Sequence, residues 1–339
     1  MTAPLAVSPG DPAGVGPELL AEAWARRVAD RLPPFFVVGG ARLLAAAAAT
    51  RGIALPVERI GHPAEAAAVF ARALPVWSDA DGDYRPGQPD RIGAALALQS
   101  LTEAAALAVS GKAGALVTGP IAKALLAEVG FTHPGQTEFV AAACGIAAKD
   151  AVMMLAGPNL RTVPLTVHVA LAQVPALLTR VLIERRAKIV AEALAQDFGI
   201  AAPRLAIAAL NPHAGEAGRM GSEEAGIIAP AIAALRAAGI DVTGPHPADA
   251  LFAPHARGGY DVAICMYHDQ ALIPVKALDF DLGVNITLGL PIVRTSPDHG
   301  TAFSLAGTGK ASAGATIAAI RMAGECAARR NHSQSNRLP

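Results

Sequence analysis

The sequence lacks a charge imbalance, a paired-cysteine motif and a long, strongly apolar run. Lys+Arg (28) balance Asp+Glu (28), the formal net charge is +0 and the sequence pI is about 7.1. No basic stripe stands out, which argues against a nucleic-acid partner. The three cysteines, Cys144, Cys265 and Cys326, are far apart and form no CxxC pair, so they read as small buried residues in a reducing cytoplasm. The mean hydropathy of +0.38 comes largely from alanine, and without about 18 strongly apolar residues in a row no membrane span is expected. The start, Met1–Thr2–Ala3–Pro4–Leu5, has neither a basic n-region nor an apolar h-region, so no secretory signal is read there. What remains is apolar mass. The 339 residues are 53% hydrophobic and 17% charged, far from the composition of a disordered chain and enough for a large core, with two domains as the expectation from length.

Short apolar runs alternate with alanine-rich helical stretches. Strands are expected at Leu5–Ser8, Phe35–Val38, Val57–Ile60, Ala115–Thr118, Ala151–Leu155, Thr162–Val169, Arg204–Leu210, Asp261–Met266 and Val284–Leu288. Helices are expected at Pro17–Arg31, Ile92–Ser110, Ile183–Phe198 and Glu223–Ala238, the last capped by Ser222. This alternation predicts an α/β fold with mostly parallel sheet. The polar, Gly- and Pro-rich stretch 79–90 reads as an exposed loop, and 329–339 as a frayed tail.

The chemistry-bearing residues share one placement, just after a strand, which is where open α/β sheets gather their sites. SPGDPAGVGPE (8–18) is a strand-to-helix turn suited to an anion, and VTGPIAK (117–123) repeats the arrangement. GQTEF (135–139) alone reads as a capped helix start. His168, His213 and His268 each lie at or just beyond a strand end. A single such histidine is usually a satisfied core residue; three imidazoles delivered by parallel strands would suit Zn²⁺ or a similar ion, with positions left for substrate. Their spacing is too long to be a motif, so both readings stand at this point. Lys276, Asn285 and Arg294 recur nine residues apart around Gly and Pro punctuation, and a Lys and an Arg beside an Asn suit a phosphate or carboxylate. Pro274 should interrupt any long helix after His268. Asp269 and Gln270 either fix the His268 imidazole or, for Asp269, cap the next helix. In DHGTAFSLAGTGK (298–310), two small-residue turns would let backbone approach a nucleotide.

Taken in order, SPGDPAGVGPE, VTGPIAK, GQTEF, VMML, NPHAGEAGRMGSEE, PADALF, MYHDQALIPVK, GVNITLGLPIVRTSPDHGTA and AGTGKA resemble the PdxA family, the 4-hydroxythreonine-4-phosphate dehydrogenases of pyridoxal 5′-phosphate biosynthesis. The likeness spans residues 8 to about 311. It implies two α/β/α-layered domains with mostly parallel sheets and an active-site cleft between them: 1–126 plus 297–330 as a discontinuous first domain, 127–296 as a second domain with a dimer interface, and 331–339 as a tail. It implies a homodimer whose active site is shared between subunits; cysteine usage, balanced charge and hydropathy add the expectation of a cytoplasmic protein with no nucleic-acid or membrane partner. Carried over residue by residue, His168, His213 and His268 match divalent-metal ligands (Zn, Mg or Co). Lys276, Asn285 and Arg294 match substrate positions and Thr137 a further substrate contact, with Gln136 beside it; Lys276 and Asp249 are the candidate catalytic residues, Asp249 to orient or accept a proton. His299, Gly300, Thr301, Gly307 and Gly309 look like a cofactor loop for NAD or NADP. The implied reaction is oxidation of 4-phosphooxy-L-threonine at its C3 hydroxyl, then decarboxylation to 3-amino-2-oxopropyl phosphate. The family often has a histidine where this chain has Gln136, which cannot carry charge. That departure keeps open a related phosphorylated hydroxy acid, such as 4-phospho-threonate or -erythronate, or a diol carboxylate. A phosphotransacetylase-like transfer is the more distant alternative.

Overall fold

Leu5–Ser8 (LAVS) and Phe35–Val38 (FFVV) are buried at every position, as a parallel strand covered on both faces requires. The computed structural model describes residues 3–335. It shows an α/β chain in two compact units, one holding the chain up to Ala148 and again from Leu290, the other Lys149–Gly289.

In the first unit the strands are β1 (Leu5–Ser8), β2 (Phe35–Val38), β3 (Val57–Arg59), β4 (Leu74–Trp77), β5 (Leu116–Thr118) and β12 (Arg294–Pro297), in the order β3-β4-β2-β1-β5-β12 and parallel throughout. The helices are α1 (Gly16–Ala25), α2 (Ala41–Thr50), the single turn α3 (Ala66–Val69), α4 (Arg91–Val109), α5 (Lys123–Glu128), α6 (Gln136–Ala143) and α13 (Gly314–Ser335). Pro17 opens α1 with Glu18 in its first turn. Asp90 caps α4 by accepting from the Gly93 amide at 2.7 Å. By length and hydropathy alone, α4 could cross a bilayer. Its alanine content raises the average, and Ala94, Ala97, Leu101 and Ala104 are buried in the unit's core, so it reads as a core helix.

The second unit carries β6 (Val152–Ala156), β7 (Arg161–Pro164), β8 (Leu205–Ala208), β9 (Val242–His246), β10 (Val262–Cys265) and β11 (Val284–Leu288). Their order is β11-β6-β7-β10-β8-β9; β6 runs antiparallel to both neighbours, and β7, β10, β8 and β9 are parallel. Its helices are α7 (Val174–Leu177), α8 (Arg180–Asp197), α9 (Ala229–Ala237), α10 (Ala248–Leu251), α11 (Pro254–Arg257) and α12 (His268–Asp279).

Several local expectations differ from the structure. Strands β4, β9 and β12 were not expected, because LPVW, VTGPH and RTSP carry Pro, Gly or polar residues; sheet neighbours recruit them against propensity. β7 ends at Pro164, which has no amide to extend the ladder, so His168 stands beyond the strand. α12 runs through Pro274 instead of stopping there. Burial of Ala271, Leu272 and Val275 against β6 and β10 residues offsets the roughly 3 kcal/mol that an internal proline costs. Ser222 is not a helix cap: the segment opens with a wide turn at Glu224–Ile228, and Glu224 is spent on the preceding loop. α13 extends to Ser335, into the stretch expected to be a tail from 331; residues 336–339, like Met1 and Thr2, lie outside the described residues.

Candidate active site

The second unit gathers its polar residues where β7, β10 and β8 end side by side. Parallel pairing in register, Pro164 with Cys265 and Ile264 with Ile207, puts the segments leading to His168, His268 and His213 at one end of three adjacent strands. Thr166 ties two of these exits by donating from its hydroxyl to the Met266 carbonyl at 2.9 Å. Gln270 ties a third: its Oε1 accepts from the Met266 amide at 2.7 Å and its Nε2 donates to the Ala209 carbonyl at 2.7 Å. The His168 and His268 rings lie with centroids 5.9 Å apart. Both line one pocket with Thr166, Tyr267 and Asp269. His268 Nδ1 meets Asp269 Oδ1 at 2.7 Å. A carboxylate only accepts, so Nδ1 is the donor in this pair and Nε2 is the nitrogen left facing away from Asp269, the orientation of a metal-binding imidazole. Since α12 begins at His268, Asp269 does not cap it.

His213 sits on a different device. From His213 to Ala217 every residue has φ between 43° and 74°, a left-handed turn that costs non-glycine residues about 1–2 kcal/mol each. The Glu224 carboxylate holds the turn's base, accepting from the Leu210 and Asn211 amides at 2.9 and 2.7 Å. Gly215 is required there, because a Cβ would sit 2.7 Å from Glu224 Oε2. His168 is also left-handed, at φ 53°. Strain held this firmly at two histidines points to function. Within one chain the described residues hold no group of three His, Cys, Asp or Glu side chains that could bind a metal: His168 and His268 meet, and His213 does not complete a cluster with them.

The first unit builds a second cluster around Arg294, which leaves β12 only 3% exposed. Its Nη2 donates to Thr118 Oγ1 at 2.8 Å and Gln136 Oε1 at 2.9 Å, and its Nη1 reaches Thr137 Oγ1 at 3.4 Å. Gln136 in turn donates from Nε2 to the Gly119 carbonyl at 2.9 Å. Burial pulls the guanidinium down to about 10, opposed by the Glu138 charge, so it stays protonated near neutrality. A cation pinned at the first turn of α6, among two hydroxyls and an amide, is suited to an oxyanion. GQTEF is therefore more than the helix cap it suggests on its own.

The 298–310 loop folds back on α1. The Val15 amide donates to the Thr301 carbonyl at 3.0 Å, and the Gly307 amide reaches buried Glu18 at 3.3 Å. His299 Nδ1 donates to the Gly300 carbonyl at 3.0 Å, leaving Nε2 as acceptor 3.5 Å from Thr316 Oγ1. Gly307 and Gly309 take φ of 75° and 72°. Lys276 is half-buried about two turns along α12 from His268. Asn285 is half-buried on β11, and its Oδ1 is buried with no partner among the described residues. Asp249 is exposed on α10. The sequence reading gave no role to Thr166 or Gly119; nothing marks a strand-exit hydroxyl or a carbonyl acceptor before the partners are in place.

Comparison with known proteins adds an independent line. The family model described as "Pyridoxal phosphate biosynthetic protein PdxA" matches residues 31–323. A 4-hydroxythreonine-4-phosphate dehydrogenase of Erythrobacter litoralis is 63% identical over 327 residues, covering 96% of this chain and 97% of the relative. One from Zymomonas mobilis is 53% identical over 336 residues, 99% of each. The crystal structure of a 4-hydroxythreonine-4-phosphate dehydrogenase from Klebsiella pneumoniae superposes with a TM-score of 0.84 at 38% identity, covering 96% of this chain and 98% of that one.

Proposed function

The chain belongs to the PdxA family, and from that membership we propose that it oxidises 4-phosphooxy-L-threonine at the C3 hydroxyl with NAD⁺ or NADP⁺, with loss of CO₂ to 3-amino-2-oxopropyl phosphate, in pyridoxal 5′-phosphate biosynthesis. The observation that carries the reading is the identity of 63% to a dehydrogenase across 96% of the chain, with the Arg294 cluster ready-made for the phosphate.

Arg294, Gln136 and Thr137 take the phosphate, with charge from the guanidinium and direction from its planar fork. Lys276 and Asn285 take the substrate's carboxylate side; the buried Asn285 oxygen is suited to a donor such as the amine. Asp249 and Lys276 are the groups for moving protons at the oxidised carbon. The loop with His299, Gly300, Thr301, Gly307 and Gly309 would hold the nicotinamide cofactor. His168 and His268, with His213, are the proposed ligands of one divalent cation (zinc, magnesium or cobalt). The fit is in the donors: two imidazoles face one pocket, one with its Nδ1 fixed by Asp269. When bound, such a cation supplies Lewis acidity at the C3 hydroxyl. We read the protein as a cytoplasmic homodimer joined through the second unit, whose α12 and its exit expose Ile273 at 64% and Phe280 at 74%.

The test is to incubate purified protein with 4-phosphooxy-L-threonine and NAD⁺ or NADP⁺, and follow reduced cofactor and CO₂ together. Equimolar release of both is the expected result. Cofactor reduction only with 4-phospho-threonate or -erythronate would move the substrate to that class, and no reduction with any of them would remove the dehydrogenase reading.

A further inference from the structure

Asp11 is 1% exposed, yet only one of its carboxylate oxygens is engaged. Oδ1 accepts from the Ala13 amide at 3.0 Å. Oδ2 is buried and has no partner among the described residues. Buried polar atoms are nearly always satisfied, so an orphan of this kind points to a ligand.

Asp11 also lines a built pocket. Asp11, Ala13, Asp83, Arg85, Gln88 and Asp90 line a cavity within the first unit. Burial raises the Asp11 carboxyl above its ordinary range, the Ala13 amide opposes this, and the Asp90 charge adds to the rise. Asp90 itself is occupied as the cap of α4, and Arg85 faces Asp83 at 3.5 Å. A pocket with this floor accepts donors and disfavours anions, so it suits neither the phosphate nor the carboxylate of the substrate.

Its walls adjoin the loop expected to carry the cofactor. The Gly87 amide donates to the Ala13 carbonyl at 2.8 Å, while Val15 holds the Thr301 carbonyl at 3.0 Å. Any Cβ on Gly14 would stand 2.8 Å from that same carbonyl, and Pro86 packs against Gly307. The backbone lining the pocket is thus clamped to 301–307 from two sides.

We propose that Asp11 Oδ2 accepts from the ribose hydroxyls of the nicotinamide dinucleotide, and that this pocket is where that sugar sits. The proposal rests on the reading of the chain as an NAD(P)-linked dehydrogenase. A vicinal diol offers neutral O–H donors to an oxygen that can only accept, and acidic side chains hold ribose hydroxyls in other dinucleotide folds for the same reason.

The experiment titrates NAD⁺ and NADP⁺ into wild type, Asp11→Asn and Asp11→Ala, and measures KM for the dinucleotide and for 4-phosphooxy-L-threonine separately. Asp11→Asn retains the acceptor for the Ala13 amide, so it guards against loss of fold; melting curves check both variants. In Asp11→Ala the dinucleotide Kd and KM should rise about tenfold or more, with the KM for the phosphorylated substrate within about twofold of wild type. Unchanged dinucleotide affinity in a folded variant overturns the proposal, as does a rise confined to the phosphorylated substrate. If wild type binds neither dinucleotide, the dehydrogenase reading itself fails, and the two failures are told apart by that control.

Discussion

The two polar clusters differ in how far each is finished within its own unit. Around Arg294 the side-chain bonds close inward: a guanidinium 3% exposed donates to two hydroxyls and a glutamine carbonyl oxygen, and the glutamine donates on to a backbone carbonyl. Around His168 and His268 the chain is open. The His268 side chain is 38% exposed, and Val167, Val169 and Leu171 stand exposed beside the pair. The closed cluster is preorganised for an oxyanion, which needs fixed donors at fixed angles. The open pair has two rings in place and a third histidine on a strained turn elsewhere, an arrangement that a cation and a second chain would complete under the proposed reading. The first unit can therefore be judged from its own atoms, whereas the second has to be judged with something added.

Breaking the open pair should have the largest effect. His268→Ala or His168→Ala is expected to lower kcat/KM on the order of a thousandfold, with loss of bound divalent metal by elemental analysis and little change in melting temperature. Activity within tenfold of wild type would show that the rings are not a metal site. Asp269→Asn sharpens the point: it leaves both rings and should weaken metal affinity roughly 10- to 100-fold.

In the closed cluster Arg294→Lys should cost next most. A lysine cannot reproduce the fork to Thr118 and Gln136, so kcat/KM should fall about a hundredfold, through the KM for the phosphorylated substrate, while the dinucleotide KM stays put. Stability should also drop by about 1–3 kcal/mol as acceptors inside the cluster lose their donor. Gln136→His is gentler. An imidazole can accept from Arg294, so activity near pH 8 should stay within about tenfold, but the substrate KM should acquire a pH dependence near 6–7 that the glutamine chain lacks. An identical pH profile in both proteins would place that side chain away from the bound anion.

Legibility in the sequence follows the same divide. Alternation of apolar runs with alanine-rich segments made the α/β class and most strands readable, because buried parallel strands need continuous apolar tetrapeptides such as FFVV. RTSP could not be read as a strand, since only its sheet neighbours make it one, and with it went the cue that Arg294 is buried. The histidines were readable by their position after strands, and their residue-type chemistry was not in doubt. What sequence could not carry is which of them meet. That depends on how far each exit loop travels: His168 and His268 leave adjacent strands within a few residues, while His213 is lodged in a left-handed turn held by Glu224. The metal and cofactor assignments came from the family likeness, and spacing alone would have left them open.

Asp11 breaks the contrast from inside, and the effect predicted there is the smallest. It belongs to the closed unit yet keeps an unsatisfied oxygen. Its carboxyl is raised, chiefly by burial, so the folded protein holds that proton more tightly than the unfolded chain does. The sign follows from linkage: below the ordinary carboxylate range the group is protonated in both states and imposes no penalty, and the penalty grows as pH rises through the raised folded value. Asp11→Asn removes the buried charge. The free protein should therefore gain stability at about pH 8, by no more than about 1 kcal/mol, and the gain should fade near pH 3–4. Saturating dinucleotide should reverse the order, because wild type alone would recover the hydroxyl bonds and be stabilised by binding. Melting curves with and without NAD⁺ at the two pH values give all four comparisons. A variant less stable than wild type at pH 8 without ligand would mean that Oδ2 is already satisfied, and Asp11 would then offer nothing for a ligand to complete.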